Sequence, residues 1–174
     1  MVDTSRGPER RTPAQIVTQG RGTIVLGNSA VQVACASTAT DESLYSLLIP
    51  AGTLGPNDEL QIEPYWRFTN SANNKICLVK TSGGVDLWRR TRTTTTDEGP
   101  LIVMANRNAL NSQTFPYGRP SSGHAGHFTG GAQADGTTTI DFSADVTLIV
   151  GGQRANSGDS LTLERVRILL FPGA

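Results

Sequence analysis

The sequence predicts an all-β protein, an antiparallel β-sandwich of jelly-roll type with an extended N-terminal arm and one long loop. Three observations predict this class. Short apolar runs with partial two-residue alternation recur along the chain, separated by turn residues. The 19 glycines and 9 prolines, with many threonines, suit strands joined by tight turns. No segment carries a 3.6-residue apolar stripe over a helical length.

The strand pattern begins after Gly22 and continues to the end of the chain. The predicted strands are residues 23–27, 31–36, 43–50, 59–70, 75–81, 85–96, 101–108, 137–144, 145–152 and 160–173. A short helix competes only at residues 41–49. The number and spacing of the runs are typical of a sandwich or barrel.

Two of these strands carry specific expectations. Pro64 interrupts the alternation of residues 59–70, which predicts an edge position or a bulge there. In residues 160–173 we expect Arg165 and Arg167 to point outward. The apolar positions of that strand mark the core: Leu161, Leu163, Val166, Ile168 and Leu170.

A chain of 174 residues predicts a single β-sandwich domain over residues 21–174. Residues 1–20 are polar and aperiodic, with a basic cluster at Arg6, Arg10 and Arg11. They are either a frayed terminus or an arm that orders on a neighbouring subunit. Residues 109–136 form a long loop rich in Gly, Ser and Pro, and loops of this length are usually functional or mobile.

The charge balance disfavours several partners. Fifteen basic residues offset fifteen acidic ones, so bulk attraction to nucleic acid or an anionic membrane is not expected. The N-terminus has no apolar segment of the secretory kind, and no apolar run approaches the ~20 residues of a membrane span. Cys35 and Cys77 lie in apolar runs, which favours two buried free thiols over a disulfide.

The sequence gives no direct reason to propose an enzyme or a cofactor. The nucleophile-elbow, phosphate-loop, dinucleotide-binding and zinc-protease motifs are missing from it. His124 and His127 are weak candidates for a metal pair, with Asp135 as a third ligand. Two solvated histidines, or a pH-sensitive contact at a subunit interface, are the other interpretations. We therefore expect no metal site and no cofactor.

Acidic side chains leave a glycosidase open as a minor alternative. The available carboxylates are Asp58, Glu59, Glu63, Asp97 and Glu98. Glycoside cleavage needs two carboxyl groups at a set separation across a cleft, and a sequence cannot show that separation.

Aromatic residues in the long loop favour a contact role. Phe115, Tyr117 and Phe128 are spread along it. Exposed aromatic rings stack on sugars or anchor protein contacts. The alternative is that the loop packs on itself with these rings as its small core.

The stretch LLIPAGTLGPNDELQIEPYWRFTNSANNKICLVK, residues 47–80, is the best-patterned part of the chain. It resembles small structural proteins encoded by tailed bacteriophages. The matching pieces are IPAGTLG at residues 49–55 and TNSANNK at residues 69–75. The resemblance covers under a quarter of the chain and carries over no site residues. It implies a virion component made in the host cytoplasm.

Combined with the absence of reactive groups, the resemblance leads us to expect a non-enzymatic capsid decoration (cement) protein. Its partners would be the major capsid protein or other virion proteins and further copies of itself, most simply in a trimer. Arg6, Arg10 and Arg11 would contact the shell, and loop 109–136 would lie at the oligomer axis or the exposed tip. The alternative is a receptor-binding or fibre-tip module, with Tyr117, Phe128 and the histidines lining a glycan site.

Overall fold

The computed structural model describes residues 22–115 and 136–173, and these ranges contain twelve β-strands and no helix. The all-β prediction is confirmed. The strands are β1 Ile24–Ser29, β2 Val33–Ala34, β3 Glu42–Ile49, β4 Glu59–Phe68, β5 Lys75–Thr81, β6 Asp86–Arg92, β7 Asp97–Glu98, β8 Ile102–Asn106, β9 Gln113–Phe115, β10 Gly136–Thr138, β11 Val146–Arg154 and β12 Leu161–Phe171.

The strands form two antiparallel sheets, as predicted for a sandwich. The larger sheet has the order β1-β12-β4-β8-β9-β10, with β2 added to β12 and β7 added to β4. The smaller sheet has the order β3-β11-β5-β6. Apolar side chains of both sheets share one core. The jelly-roll form of the sandwich stays a prediction.

Alternation along β4 and β12 positions the centre of the larger sheet. In β4 the side chains of Leu60, Ile62 and Trp66 are fully buried, whereas Tyr65 and Arg67 are exposed. All five core positions predicted for the last strand are buried. Burial of side chains of this size contributes about 1.5–3 kcal/mol each relative to exposure.

Two stacked tryptophans connect the sheets. Trp66 of β4 and Trp88 of β6 have ring centroids 5.6 Å apart and planes 15° apart. Both side chains are fully buried, and neither indole N–H has a hydrogen-bond partner among the described residues. Burial of two such rings compensates for the desolvation of the two N–H groups.

An ion pair lies beside the stack. Glu98 of β7 is the register partner of Trp66, and its buried carboxylate accepts a hydrogen bond from Arg92 of β6. The ion pair therefore links β6 of the smaller sheet to β7 of the larger sheet. Removing one partner would leave the other charge uncompensated.

Both cysteines are buried free thiols, as predicted. Burial raises the pKa of Cys35 to about 11, and the neighbouring Glu42 adds to the increase. Burial also raises the pKa of Cys77 well above its usual value. Both groups are therefore protonated and unreactive at neutral pH.

The structure corrects several predicted boundaries. The possible helix at residues 41–49 is wrong, because Glu42–Ile49 form strand β3. The strand predicted at 85–96 is limited to β6, and β7 begins just beyond it; of the strand predicted at 137–144, only residues 137–138 belong to a strand, β10. The loop predicted at 109–136 is also shorter, because residues 113–115 form β9. Repeated Thr is compatible with both strand and loop, so composition alone did not locate the ends of these strands.

The expectation of an edge position or a bulge at Pro64 is confirmed by a bulge beside it. β4 pairs with β12 on one side and with β7 and β8 on the other, so it is not an edge strand. The bulge is present in the partner strand: Leu163 pairs with Trp66 and Arg165 with Tyr65, which leaves Glu164 as the extra residue. The bulge keeps both Leu163 and Val166 facing the core.

A charged network links Asp41, which directly precedes β3, to β5 and β6 of the same sheet. The Asp41 carboxylate accepts hydrogen bonds from Lys80 at 2.8 Å and from Arg89 at 2.6 and 2.9 Å. Arg89 also pairs with Asp86 at 2.7 Å. The hydrogen bonds from Arg89, followed by those from Lys80, lower the pKa of Asp41 to about 2.

Replacing either tryptophan of the stack should strongly destabilise the fold. We expect Trp66→Ala and Trp88→Ala each to lower the free energy of unfolding by about 3–5 kcal/mol. The double variant should lose about 0.5–1.5 kcal/mol less than the sum, because the stacking contact is lost only once. Urea denaturation followed by circular dichroism measures this. Tyr65→Ala, a neighbouring exposed ring, is the control, and strictly additive losses would refute the coupling.

The Asp41 network predicts a pH-dependent stability. The folded protein binds the proton of the Asp41 carboxyl group more weakly than the unfolded chain does. The contribution of Asp41 to the free energy of unfolding is therefore fully present above its ordinary pKa of 3.8. It is lost as the pH falls through about 2. The stability difference between the protein and Asp41→Asn should therefore shrink over this range. Denaturation curves at several pH values test this, and a difference independent of pH would contradict it.

Candidate functional site

A groove lies on the outer face of the larger sheet among the described residues. It is lined by residues 63–65 of β4, residues 99–101 between β7 and β8, and Arg165 of β12. Its volume is about 590 Å³. We call it the outer groove.

The groove exists because β4 changes partner along its length. Residues 59–62 pair with β8, and residues 66–67 pair with β7. Residues 63–65 have no paired strand on that side in the described chain, since residues 99–101 connect β7 to β8. Pro64 and Pro100 both lack an N–H and so cannot donate to a ladder, which suits them to this gap.

Tyr65 is the aromatic group of the groove. Its side chain is 36% exposed, whereas its neighbours Pro64 and Trp66 are buried. The ring lies against the main chain of Gly99: a Cβ added there would be 3.2 Å from Cδ2 of Tyr65. Glycine therefore lets the ring approach the connection closely, and this contact limits its freedom to move.

Arg165 is the register partner of Tyr65 on β12, so the two side chains lie next to each other on the outer face. Arg165 is exposed and has no hydrogen-bond or ion-pair partner among the described residues. Glu63 is paired instead with Arg167, at 2.6 Å. The charge of Glu63 is thus compensated by Arg167, and the Arg165 guanidinium stays available.

The groove combines an aromatic ring, an available guanidinium and apolar walls from Pro64, Pro100 and the 38% exposed Leu101. This combination suits binding: the ring and walls provide contact area, and the guanidinium donates hydrogen bonds to a planar anion.

Carboxylates considered for glycoside cleavage all have structural contacts. Asp58 accepts main-chain hydrogen bonds from Gly55 and Gly173, both at 2.7 Å. Glu59 accepts a hydrogen bond from the side-chain amide of Gln61, and Asp97 accepts one from the hydroxyl of Thr96. Glu63 and Glu98 pair with arginines, as described above. These contacts account for the positions of the five carboxylates in the fold.

A second, shallower cavity of about 290 Å³ lies at one end of the smaller sheet and includes two carboxylates, Asp141 and Asp145. Asp145 accepts a hydrogen bond from the Ala51 N–H at 2.9 Å. Asp141 accepts hydrogen bonds from the Ser143 hydroxyl and N–H, which lower the pKa of Asp141. Both carboxylates therefore stabilise local turns.

Most residues predicted for contacts lie outside the described ranges. These are Arg6, Arg10, Arg11, Tyr117, His124, His127 and Phe128, together with Asp135. Phe115 is described: it ends β9, is 6% exposed and belongs to the core. In this structure Phe115 offers little surface to a partner. The predicted contact roles of the other residues stay predictions.

The outer groove was not predicted from the sequence. The outward direction of Arg165 was expected, and Pro64 was recognised as a break, but the groove needs β7, β8 and β12 to meet at β4. The available signal was two prolines, Pro64 next to Tyr65 and Pro100 next to Gly99.

Within residues 22–115 and 136–173 no group of three or more His, Cys, Asp or Glu side chains could hold a metal ion. The same ranges contain no helix able to span a membrane.

No protein-family model and no curated protein matches this sequence. Among solved structures, the chain is similar to the CBM2 module of the evolved Dit protein of Lactobacillus casei BL23 phage J-1. The TM-score is 0.38 and the identity 11%, over 82% of this chain and 77% of that one. A structure of infectious bursal disease virus, Gx strain, aligns with a TM-score of 0.28 and 15% identity, over 87% of this chain and 40% of that one. Both likenesses are too distant to support an argument about function.

Proposed function

We propose that this chain is a non-enzymatic structural protein of a tailed-phage virion. More specifically, we propose a capsid decoration protein that binds the outer shell as a homo-oligomer. The support comes from the motif stretch and from one free sheet edge. By occupying junctions between shell subunits, such a protein stabilises the filled head through mass action.

The residues that carry the phage resemblance act as turns and core in this fold. Gly52 has a φ of 73°, and the Thr53 N–H donates to the Pro50 carbonyl at 3.1 Å. Leu54 is buried. In the second piece, the buried Lys75 ammonium donates to Ser71 at 2.8 Å. The resembling stretch therefore stabilises the fold of the subunit and contains no reactive group in the contacts described.

The observation that carries the assembly proposal is the edge strand β3. It pairs only with β11 within the described residues, and residues 43–49 contain no charge. Leu48 on this strand is 55% exposed. An edge strand with seven consecutive uncharged residues and an exposed apolar side chain is a template for pairing with another chain.

Other free edges of the two sheets are protected. β6 carries one Asp and three Arg in seven residues, β1 has a bulge between Val25 and Gly27, and β10 has three residues. Charge, bulges and short length are the usual protections of an edge. In a cyclic trimer the contact is head-to-tail, so β3 would meet a different surface of the next copy.

Replacing Leu48 should weaken self-association. We expect Leu48→Lys to raise the dissociation constant of the oligomer about tenfold or more, since a charge on the edge disfavours strand pairing. Val85→Lys is the matched control, because Val85 is also an exposed apolar residue but lies outside β3. Sedimentation velocity over a concentration series measures both. Equal dissociation constants for the two variants would exclude β3 from the interface.

Binding to heads tests the decoration role itself. Purified protein should co-sediment with phage heads that lack it, saturably and in a fixed ratio to the major capsid protein. Deletion of residues 1–20 should reduce this binding if the arm contacts the shell. Saturation at only a few copies per head would instead indicate a unique vertex, the tail or a fibre. Unchanged binding after the deletion would contradict the role of the arm.

A further inference from the structure

We propose that the outer groove is a binding site for an acidic saccharide, with Tyr65 stacking on a sugar ring and Arg165 binding the sugar carboxylate. This inference goes beyond the decoration role. It concerns a face of the isolated subunit and does not depend on head binding.

Tyr65 supplies a preorganised aromatic surface. Its ring is held against Gly99 yet is 36% exposed in the groove. An aromatic side chain has few rotatable bonds, so little conformational entropy is lost when a ligand stacks on it. The apolar face of a pyranose is a suitable partner for such a ring.

Arg165 supplies the charge preference. It lies beside Tyr65 in register and has no partner in the described part of the chain. The neighbouring acidic groups are both engaged: Glu63 with Arg167, and Glu164 with Gln32. Arg165 is therefore a cation beside the ring without an ion-pair partner in the described part of the chain. A guanidinium binds a carboxylate through two parallel hydrogen bonds, which favours a uronic or nonulosonic acid over a neutral sugar.

The size of the groove favours a saccharide over a protein partner. About 590 Å³ lies within the usual range of small-ligand sites, roughly 300–1,000 Å³. Seven residues line it, whereas a stable protein interface uses about 20–30 residues on each side. A short acidic oligosaccharide fits these dimensions.

Paired ligands test the proposal on the full-length chain. Trigalacturonate and sialyllactose are each compared with their own methyl ester, because each pair then differs only in the charge of the carboxylate. Dissociation constants come from titrations followed by two-dimensional NMR, with the amides of Tyr65, Gly99 and Arg165 as reporters. We expect at least one acid to bind about tenfold or more tightly than its uncharged partner, the effect of a charge-assisted pair.

Variants separate the two roles. Arg165→Gln should abolish the preference for the acid, whereas Arg90→Gln on β6 should retain it. Tyr65→Ala should abolish binding of both members of the pair, and Tyr65→Phe should preserve it, which controls for folding. No binding of either acid, or an unchanged preference in Arg165→Gln, would overturn the proposal. A hexaglutamate peptide that bound the groove more tightly than the acids would also overturn it, in favour of an acidic protein partner.

Discussion

The stacked rings of Trp66 and Trp88 form the contact on which the geometry of the molecule depends. Trp66 lies in an interior strand of the larger sheet and Trp88 in an edge strand of the smaller one, so the stack sets how the sheets face each other there. The Arg92–Glu98 ion pair is a second connection between the sheets. It joins β6 to β7, where Glu98 lies opposite Trp66. Burial of large aromatic area thus holds in place a charged pair that would be unfavourable alone.

The position of β7 transmits this constraint to the outer surface. β7 has two residues, and its position depends on pairing with β4 and on the buried Glu98. The chain leaves β7 at Gly99 and rejoins the sheet at β8, and Tyr65 rests against that connection. The inner and outer faces of the sheet are therefore coupled. The core contact fixes β7, β7 fixes Gly99, and Gly99 fixes the aromatic ring of the groove.

The sequence pattern predicted features that depend on the alternation within one strand. It did not predict features that form where strands distant in the sequence meet. The alternation in β12 predicted its buried and outward residues correctly. The apolar positions of β12 change from odd to even numbers between Leu163 and Val166, which is the signature of the bulge at Glu164. The outer groove had no comparable signature, because it depends on which strands flank β4. The end of β6 at Arg92 was missed because the Thr-rich sequence of residues 93–96 does not distinguish strand from connection.

The pairing of β1 with β12 places the two ends of the described chain side by side, since Ile24 is opposite Leu170. Both ends therefore leave the sandwich from the same end. The turn between β11 and β12 lies at the other end, where residues 155–158 are exposed and Asn156 accepts hydrogen bonds from Gly158 and Asp159. If the N-terminal arm faces a shell, a peptide fused at the C-terminus would face the shell too. A peptide inserted at this turn would point outward, which makes the turn the natural position for displaying foreign sequence.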